Sequence, residues 1–340
     1  MDAFVGGFLS WLALALLFAG CSGGVSDRQA GDDRALEVGD DPALEMRDDS
    51  GLEVRNEPAL EAGHDPLLEV DDDGDWGIVL DQARWAYMNG LDTLPIGEVV
   101  ARIGQRFVGT PYAPHTLEVE GEERLVIELQ ALDCVTFVEN ALALARLVRS
   151  VPEATLDDPT GRYRTVYSDI LRTIRYRRGN LDGYPSRLHY FSEWISDKDG
   201  MGLVRDLSAE LGGVPDHEPI DFMTTHPDAY RQLGEDPSFL PALRELEARL
   251  SREPRYYVPQ DRITQVAGRI RDGDVIAATS TVAGLDVAHT GIALWKDGQL
   301  HLLHAPLVDG VVEVSRLPLA DRIQGIGGQD GIMVARPLDP

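Results

Sequence analysis

Near residue 270 the apolar residues of this chain change period, and that change limits the folds open to it. Upstream they recur with helical spacing in "GIVLDQARWAYMN" (77–89), "IGEVVARIGQRFVG" (96–109) and "DCVTFVENALALARLVRS" (133–150). The same spacing returns in "YRTVYSDILRTIRYRR" (163–178), "SRLHYFSEWIS" (186–196) and "PSFLPALRELEARLSR" (237–252). Downstream come short β-type runs, "GDVIAATS" (273–280), "AHTGIALW" (288–295), "LHLLHA" (300–305) and "GVVEVSRL" (310–317), parted by Gly, Pro and Asp-Gly turns. Helices first and a strand meander later predict an α+β domain, helices packed on an antiparallel sheet.

Composition sets the N-terminal limit of that domain. "FLSWLALALLFAGC" is an apolar run too short to span a bilayer comfortably, and "LFAGCSGG" resembles a bacterial lipobox. The resemblance implies a signal peptide over residues 1–20, cleavage before Cys21 and lipidation of its sulfur. Ser22 after it implies the outer membrane of an exported, periplasmic protein. An ordinary signal peptide cleaved nearby and an uncleaved anchor are the alternatives. Residues 31–70 repeat with a period of eight: GDDRALEV, GDDPALEM, RDDSGLEV, RNEPALEA, GHDPLLEV. Residues 31–75 carry 17 acidic and 3 basic side chains, a net of −14 out of −27 for the whole chain. So few apolar groups cannot offset the entropy of ordering. Residues 21–75 therefore read as a disordered acidic tether, with a span of roughly 40 Å for fifty flexible residues. Its units lack the Gly/Asp alternation of repeat-type calcium sites. Residues 76–340 remain as one domain's worth of sequence, still acidic, which argues against a nucleic-acid partner. A monomer is expected.

The chain has 2 cysteines. If Cys21 is lipidated, Cys134 has no disulfide partner and is either buried or used. Asp133 is a good N-cap, which puts Cys134 at the first helical position, at the positive end of the macrodipole. Asp133's own charge opposes a thiolate there. A nucleophilic thiol needs a base. "KDGQ" (296–299) is a two-residue hairpin signal, and the register it sets pairs Lys296 with Gln299, Trp295 with Leu300 and Gly291 with His304. His289 and His304 then share a face as diagonal neighbours, His301 points the other way, and Gly291 leaves the patch free of bulk. A Cys134–His289–His304 acyl-transfer centre competes here with a core cysteine, with ordinary sheet histidines, and with a zinc site on the same three residues. The sequence has no H-x-x-x-H on a helix and no second cysteine nearby to support zinc.

These residues resemble a known family. D-C-x-x-F at a helix start, H-x-G-I on a strand and a histidine on the next strand resemble the NlpC/p60 cysteine peptidases, and "GTPY" (109–112) resembles their tyrosine motif. More narrowly, "GTPYAPHTLE", "ERLVIELQALDCVTFVE", "SRLHYFSEW", "GLDVAHTGIAL" and "LLHAP" resemble the N-acetylmuramoyl-L-alanine amidase-like branch, domain-of-unknown-function family 1460. The resemblance implies a papain-like core with a helical insertion between nucleophile and base, acting on peptidoglycan fragments (muropeptides) without a metal or cofactor. It implies Cys134 as nucleophile, His289 as base, His304 orienting His289, and Tyr112 at the oxyanion. It places Ser186, Arg187, His189, Tyr190 and Asp286 in the substrate pocket, with Arg187 suited to a carboxylate or, alternatively, in an ion pair; Asp286 equally suits a turn. The implied bond is muramoyl–L-Ala, with small anhydro-muropeptides among the implied substrates; γ-D-Glu–diaminopimelate is the runner-up. A cysteine acyltransferase and a binding-only lipoprotein are the rivals.

Overall fold

The computed structural model describes residues 68–69 and 73–340. The leader, Cys21 and nearly all of the acidic tether lie outside the described residues. The principal helices are α1 (Asp73–Met88), α2 (Ile96–Arg106), α3 (Cys134–Ser150), α4 (Arg162–Arg175), α5 (Phe191–Gly200), α6 (Leu240–Leu250) and α7 (Leu319–Gln324). Apart from a short parallel pair, Leu68–Glu69 with Leu125–Val126, the strands are β1 (Val204–Asp206), β2 (Val214–Asp216), β3 (Arg255–Pro259), β4 (Val275–Ser280), β5 (Val287–Lys296), β6 (Gln299–His304), β7 (Glu313–Val314) and β8 (Gln329–Pro337). They form one antiparallel sheet in the order β2-β3-β8-β4-β5-β6-β7, with β1 beside the Ala335–Pro337 end of β8. The architecture is α+β, as the change of period predicts.

Alternation along β5 and β6 divides the core. Ile292, Leu294 and Leu303 face a large core made with α1–α4, while Ala293, Leu300 and Leu302 face a smaller one with Leu319 and Ile323 of α7. The insertion between α4 and β4 builds a third core from Tyr184, Tyr190, Met223, Leu243 and Leu246. That insertion is mixed, since it also supplies β1–β3.

Besides β1–β3 and the expected strand 310–317, of which only Glu313–Val314 forms, two elements depart from the sequence expectation. α5 starts at Phe191, not near 186: Tyr184–Ser186 forms a separate 3-10 turn, and Arg187 is extended. β8 is absent from the expected strands. Ile332 and Val334 face the small core and Met333 and Ala335 the large one, so burial on both faces removes the alternation that reveals a strand.

α3 is enclosed almost all round, and it carries Glu139 and Asn140 at buried positions. Arg175 of α4 donates through Nε to Glu139 Oε2 at 2.7 Å, with both side chains 2% exposed. Asn140 donates to Glu128 O and Thr136 O and accepts from Tyr167 OH. Asp75, in the first turn of α1, accepts from Leu129 N at 2.7 Å and anchors the segment leading into α3. Replacing Arg175 by Ala leaves Glu139 as an uncompensated buried charge and is expected to lower unfolding free energy by about 3–5 kcal/mol. The double variant Glu139→Gln/Arg175→Met should lose much less. Urea denaturation of both variants checks this, and equal losses would contradict it.

Candidate active site

The start of α3 is fixed by a capping box. Asp133 Oδ1 accepts from Val135 N at 3.0 Å and Thr136 N at 2.7 Å, and Asp133 N donates to Thr136 Oγ1 at 2.9 Å. Cys134 is the first helical residue, as the sequence implies, and is partly exposed. Protein still surrounds the thiol closely enough for burial, followed by the Asp133 charge, to push its pKa up to about 11; hydrogen bonds with Thr290 act in the opposite direction. Tyr112 lies alongside. The backbone at 112 bridges to Leu132, and burial, then the Cys134 and Asp133 charges, hold its phenol above the usual range.

The hairpin has the register that "KDGQ" sets: Lys296 pairs with Gln299 and Trp295 with Leu300. Asp297 (φ 51°) and Gly298 (φ 76°) both take the left-handed conformation that a type I′ turn needs. His289 and His304 meet on one face, Nε2 to Nδ1 at 2.8 Å, with ring planes 86° apart. Both are buried, at 3% and 2% exposure. Burial, their mutual proximity and the charge of Arg322 hold His289 well below the usual histidine range, and burial and Arg322 lower His304 to about 3. With Nε2 engaged, Nδ1 is the His289 nitrogen left to face a reacting group. His301 points the other way and contacts Ser315 O. The open patch expected at Gly291 is not found: a Cβ there would meet Leu303 O at 2.7 Å and Leu302 Cδ1 at 2.8 Å, so Leu302 fills the space.

Cys134 reaches β5 one residue along from His289. Thr290 Oγ1 donates to Cys134 O at 2.7 Å, across 156 residues of sequence. Thr290 thus ties the start of α3 to the strand that carries His289, a role that "AHTGIAL" gives no sign of. Among the described residues no three His, Cys, Asp or Glu side chains are arranged to hold a metal ion.

The residues expected to line the substrate pocket are largely engaged within the protein. Ser186 Oγ donates to Gly183 O at 2.6 Å and accepts from Asp182 N, closing a turn. The buried Arg187 donates to Leu117 O at 2.7 Å, pairs with Glu118, and lies 3.6 Å from Glu123 Oε1. Its guanidinium is therefore already neutralised. His189 contacts Tyr184 O through Nε2, and Tyr190 OH bridges Met223 N and Glu247. Asp286 Oδ2 accepts from Ser192 N at 2.7 Å and so caps α5 from a distance in sequence.

Sequence reasoning missed Arg322, on α7. Its charge acts on Cys134, His289 and His304, burial lowers its own pKa, and its Nη1 is buried without a hydrogen-bond partner. No periodicity or motif marks it.

Comparison with known proteins follows from this geometry. A family model described as AmiA-like, N-acetylmuramoyl-L-alanine amidase-like, matches residues 102–328. Among curated proteins none matches. A crystal structure of an N-acetylmuramoyl-L-alanine amidase from Bacteroides uniformis is 34% identical with a TM-score of 0.66, covering 71% of this chain and 98% of that one. A Bacteroides fragilis structure provisionally named a xylanase is 38% identical with a TM-score of 0.62, covering 68% and 98%. A Legionella pneumophila protein assigned to domain-of-unknown-function family 1460 shares the fold, at 20% identity and a TM-score of 0.56 over 79% and 97%.

The electrostatics at Cys134 yield a measurable outcome. Iodoacetamide alkylation of Cys134, followed by peptide mass mapping, should be slower than that of free cysteine at pH 7 and keep rising toward pH 11. Asp133→Asn keeps the cap and removes the charge, so it should speed alkylation at neutral pH about threefold to tenfold. A rate that levels off near pH 8 would contradict the assignment.

Proposed function

Because the chain belongs to the AmiA-like, N-acetylmuramoyl-L-alanine amidase-like family, we propose that it hydrolyses the amide between the muramoyl lactyl group and L-alanine in peptidoglycan fragments, with Cys134 as nucleophile. The observation that carries this is the 2.8 Å His289–His304 pair beginning one residue from the contact with Cys134. With the thiol near 11 and His289 neutral, the resting pair is uncharged. His289 then acts as a general base during attack, and no preformed ion pair is required. The sulfur bonds to the amide carbon as its proton passes to His289. The carbonyl oxygen becomes an oxyanion, met by the Cys134 N–H, which the Asp133 cap leaves unused, and by Tyr112. Collapse expels the peptide amine, which takes the proton from His289, and leaves a thioester. Water activated by His289 hydrolyses the thioester and restores the thiol. The superfamily placement, a papain-like NlpC/p60 core, is part of the same proposal. Glycoside hydrolysis, suggested by the xylanase name of one neighbour, requires two carboxyl groups flanking the bond, whereas this centre is a thiol and two imidazoles.

The test is mass spectrometry of a disaccharide–tetrapeptide incubated with the protein and with Cys134→Ala. Free disaccharide and intact stem peptide, absent with the variant, are expected. Cleavage at γ-D-Glu–diaminopimelate would reassign the bond, and product from the variant would remove Cys134 from the chemistry.

The proposal extends to location, on the strength of "LFAGCSGG" (17–24): an exported protein held by lipid on Cys21 at the outer membrane. Cys21→Ser should shift it from the membrane fraction to the soluble periplasmic fraction. Retention in the membrane would refute the anchor.

A further inference from the structure

Two arginines of this domain contrast in their partners. Arg187, the sequence's candidate for a substrate carboxylate, is enclosed by Glu118, Glu123 and Leu117 O and stacks 5.0 Å over Tyr184. Arg322 is the reverse. It forms no ion pair or side-chain hydrogen bond within the described residues, and its Nη1 is buried and unsatisfied. The acidic groups nearest in electrostatic terms are Glu313 and Asp309, and neither makes contact; Asp309 lies 3.5 Å from Arg316. The other groups coupled to its charge are Cys134 of α3, His289 of β5 and His304 of β6, and α7 packs through Leu319 and Ile323 against Leu300 and Leu302 of the His304 strand. His304 Nε2 is also buried without a partner.

A guanidinium in that state costs folding free energy, because desolvation is not balanced by a partner. A group of this kind is expected where a ligand completes it. Its planar fork matches a carboxylate bidentately. The proposed reaction narrows which carboxylate. The lactyl carboxyl is consumed in the scissile amide, so the muramoyl half offers no anion. The peptide half does: D-glutamate follows L-alanine and continues the stem through its γ-carboxyl, leaving the α-carboxylate free. We infer that Arg322 is a specificity residue of the active site, binding a substrate carboxylate on the peptide side of the scissile amide, namely that of the D-glutamate after L-alanine. The inference rests on the amidase reading, and it moves anion recognition from the insertion to the helix beside the imidazole pair.

The experiment compares N-acetylmuramoyl-L-alanyl-D-glutamate γ-methylamide with the same compound whose α-carboxyl is also a carboxamide, using the full chain as wild type, Arg322→Gln and Arg322→Lys. Wild type should prefer the carboxylate by about 10- to 100-fold in kcat/KM, the range for a hydrogen bond to a charged group, and mainly through KM. Arg322→Gln should lose that preference, and Arg322→Lys should keep part of it. Thermal unfolding of Arg322→Gln should be unchanged or raised, which a purely structural arginine would not give. A wild type indifferent to the carboxylate, or a glutamine variant that retains the preference, overturns the inference and leaves the amidase standing. Calorimetric binding of both ligands to Cys134→Ala separates the other case. Selective binding of the carboxylate form that disappears with Arg322→Gln, together with no turnover by wild type, supports Arg322 and refutes the amidase.

Discussion

α3 is enclosed by protein along most of its length, and the rest of the domain is arranged around that constraint. A helix in this position has no water to satisfy its polar side chains. Glu139 and Asn140 must therefore find partners in other elements, and they do so in Arg175, Tyr167 and the carbonyl of Glu128. These partners lock α4 and the strand-like segment before α3 into fixed positions. Its N-terminus is left partly open, and the cysteine sits there.

The cap that creates this site also works against it. Asp133 satisfies two amide donors and orders the first turn, and its negative charge beside the thiol disfavours thiolate. The helix dipole acts in the opposite sense, but burial and Asp133 outweigh it. A thiol so placed is a poor nucleophile unaided. The neighbouring imidazoles are correspondingly poor at holding a proton, being buried next to each other and to Arg322. Thiol and imidazoles are thus both kept neutral at rest.

The sequence revealed the parts governed by local rules. The capped start at Cys134 follows from Asp133 and the apolar stripe behind it. The facing of His289 and His304 follows from two residues, Asp297 and Gly298, because a two-residue turn dictates register and register dictates face. The rest was hidden for identifiable reasons. β8 lies between two cores, so its apolar run lacks alternation. α5 begins where it does because Asp286, far along the chain, supplies the missing cap. Arg187 looked available because Glu118 and Glu123 are remote in sequence, and Arg322 looked like any surface arginine on a short helix. Pairing in three dimensions distinguishes these two residues, and no window of sequence contains it.

The contact from Thr290 to Cys134 has a consequence in time. The thiol emerges early from the ribosome, the imidazoles and Arg322 only near the end of the chain, so the centre exists solely as a product of long-range closure. A partly made or partly unfolded chain holds a lone cysteine and scattered histidines, with no chemistry to perform. On the proposed function, activity would be coupled in this way to completion of the sheet, and on the proposed export a chain crossing a membrane unfolded would be harmless until its last strands are in place.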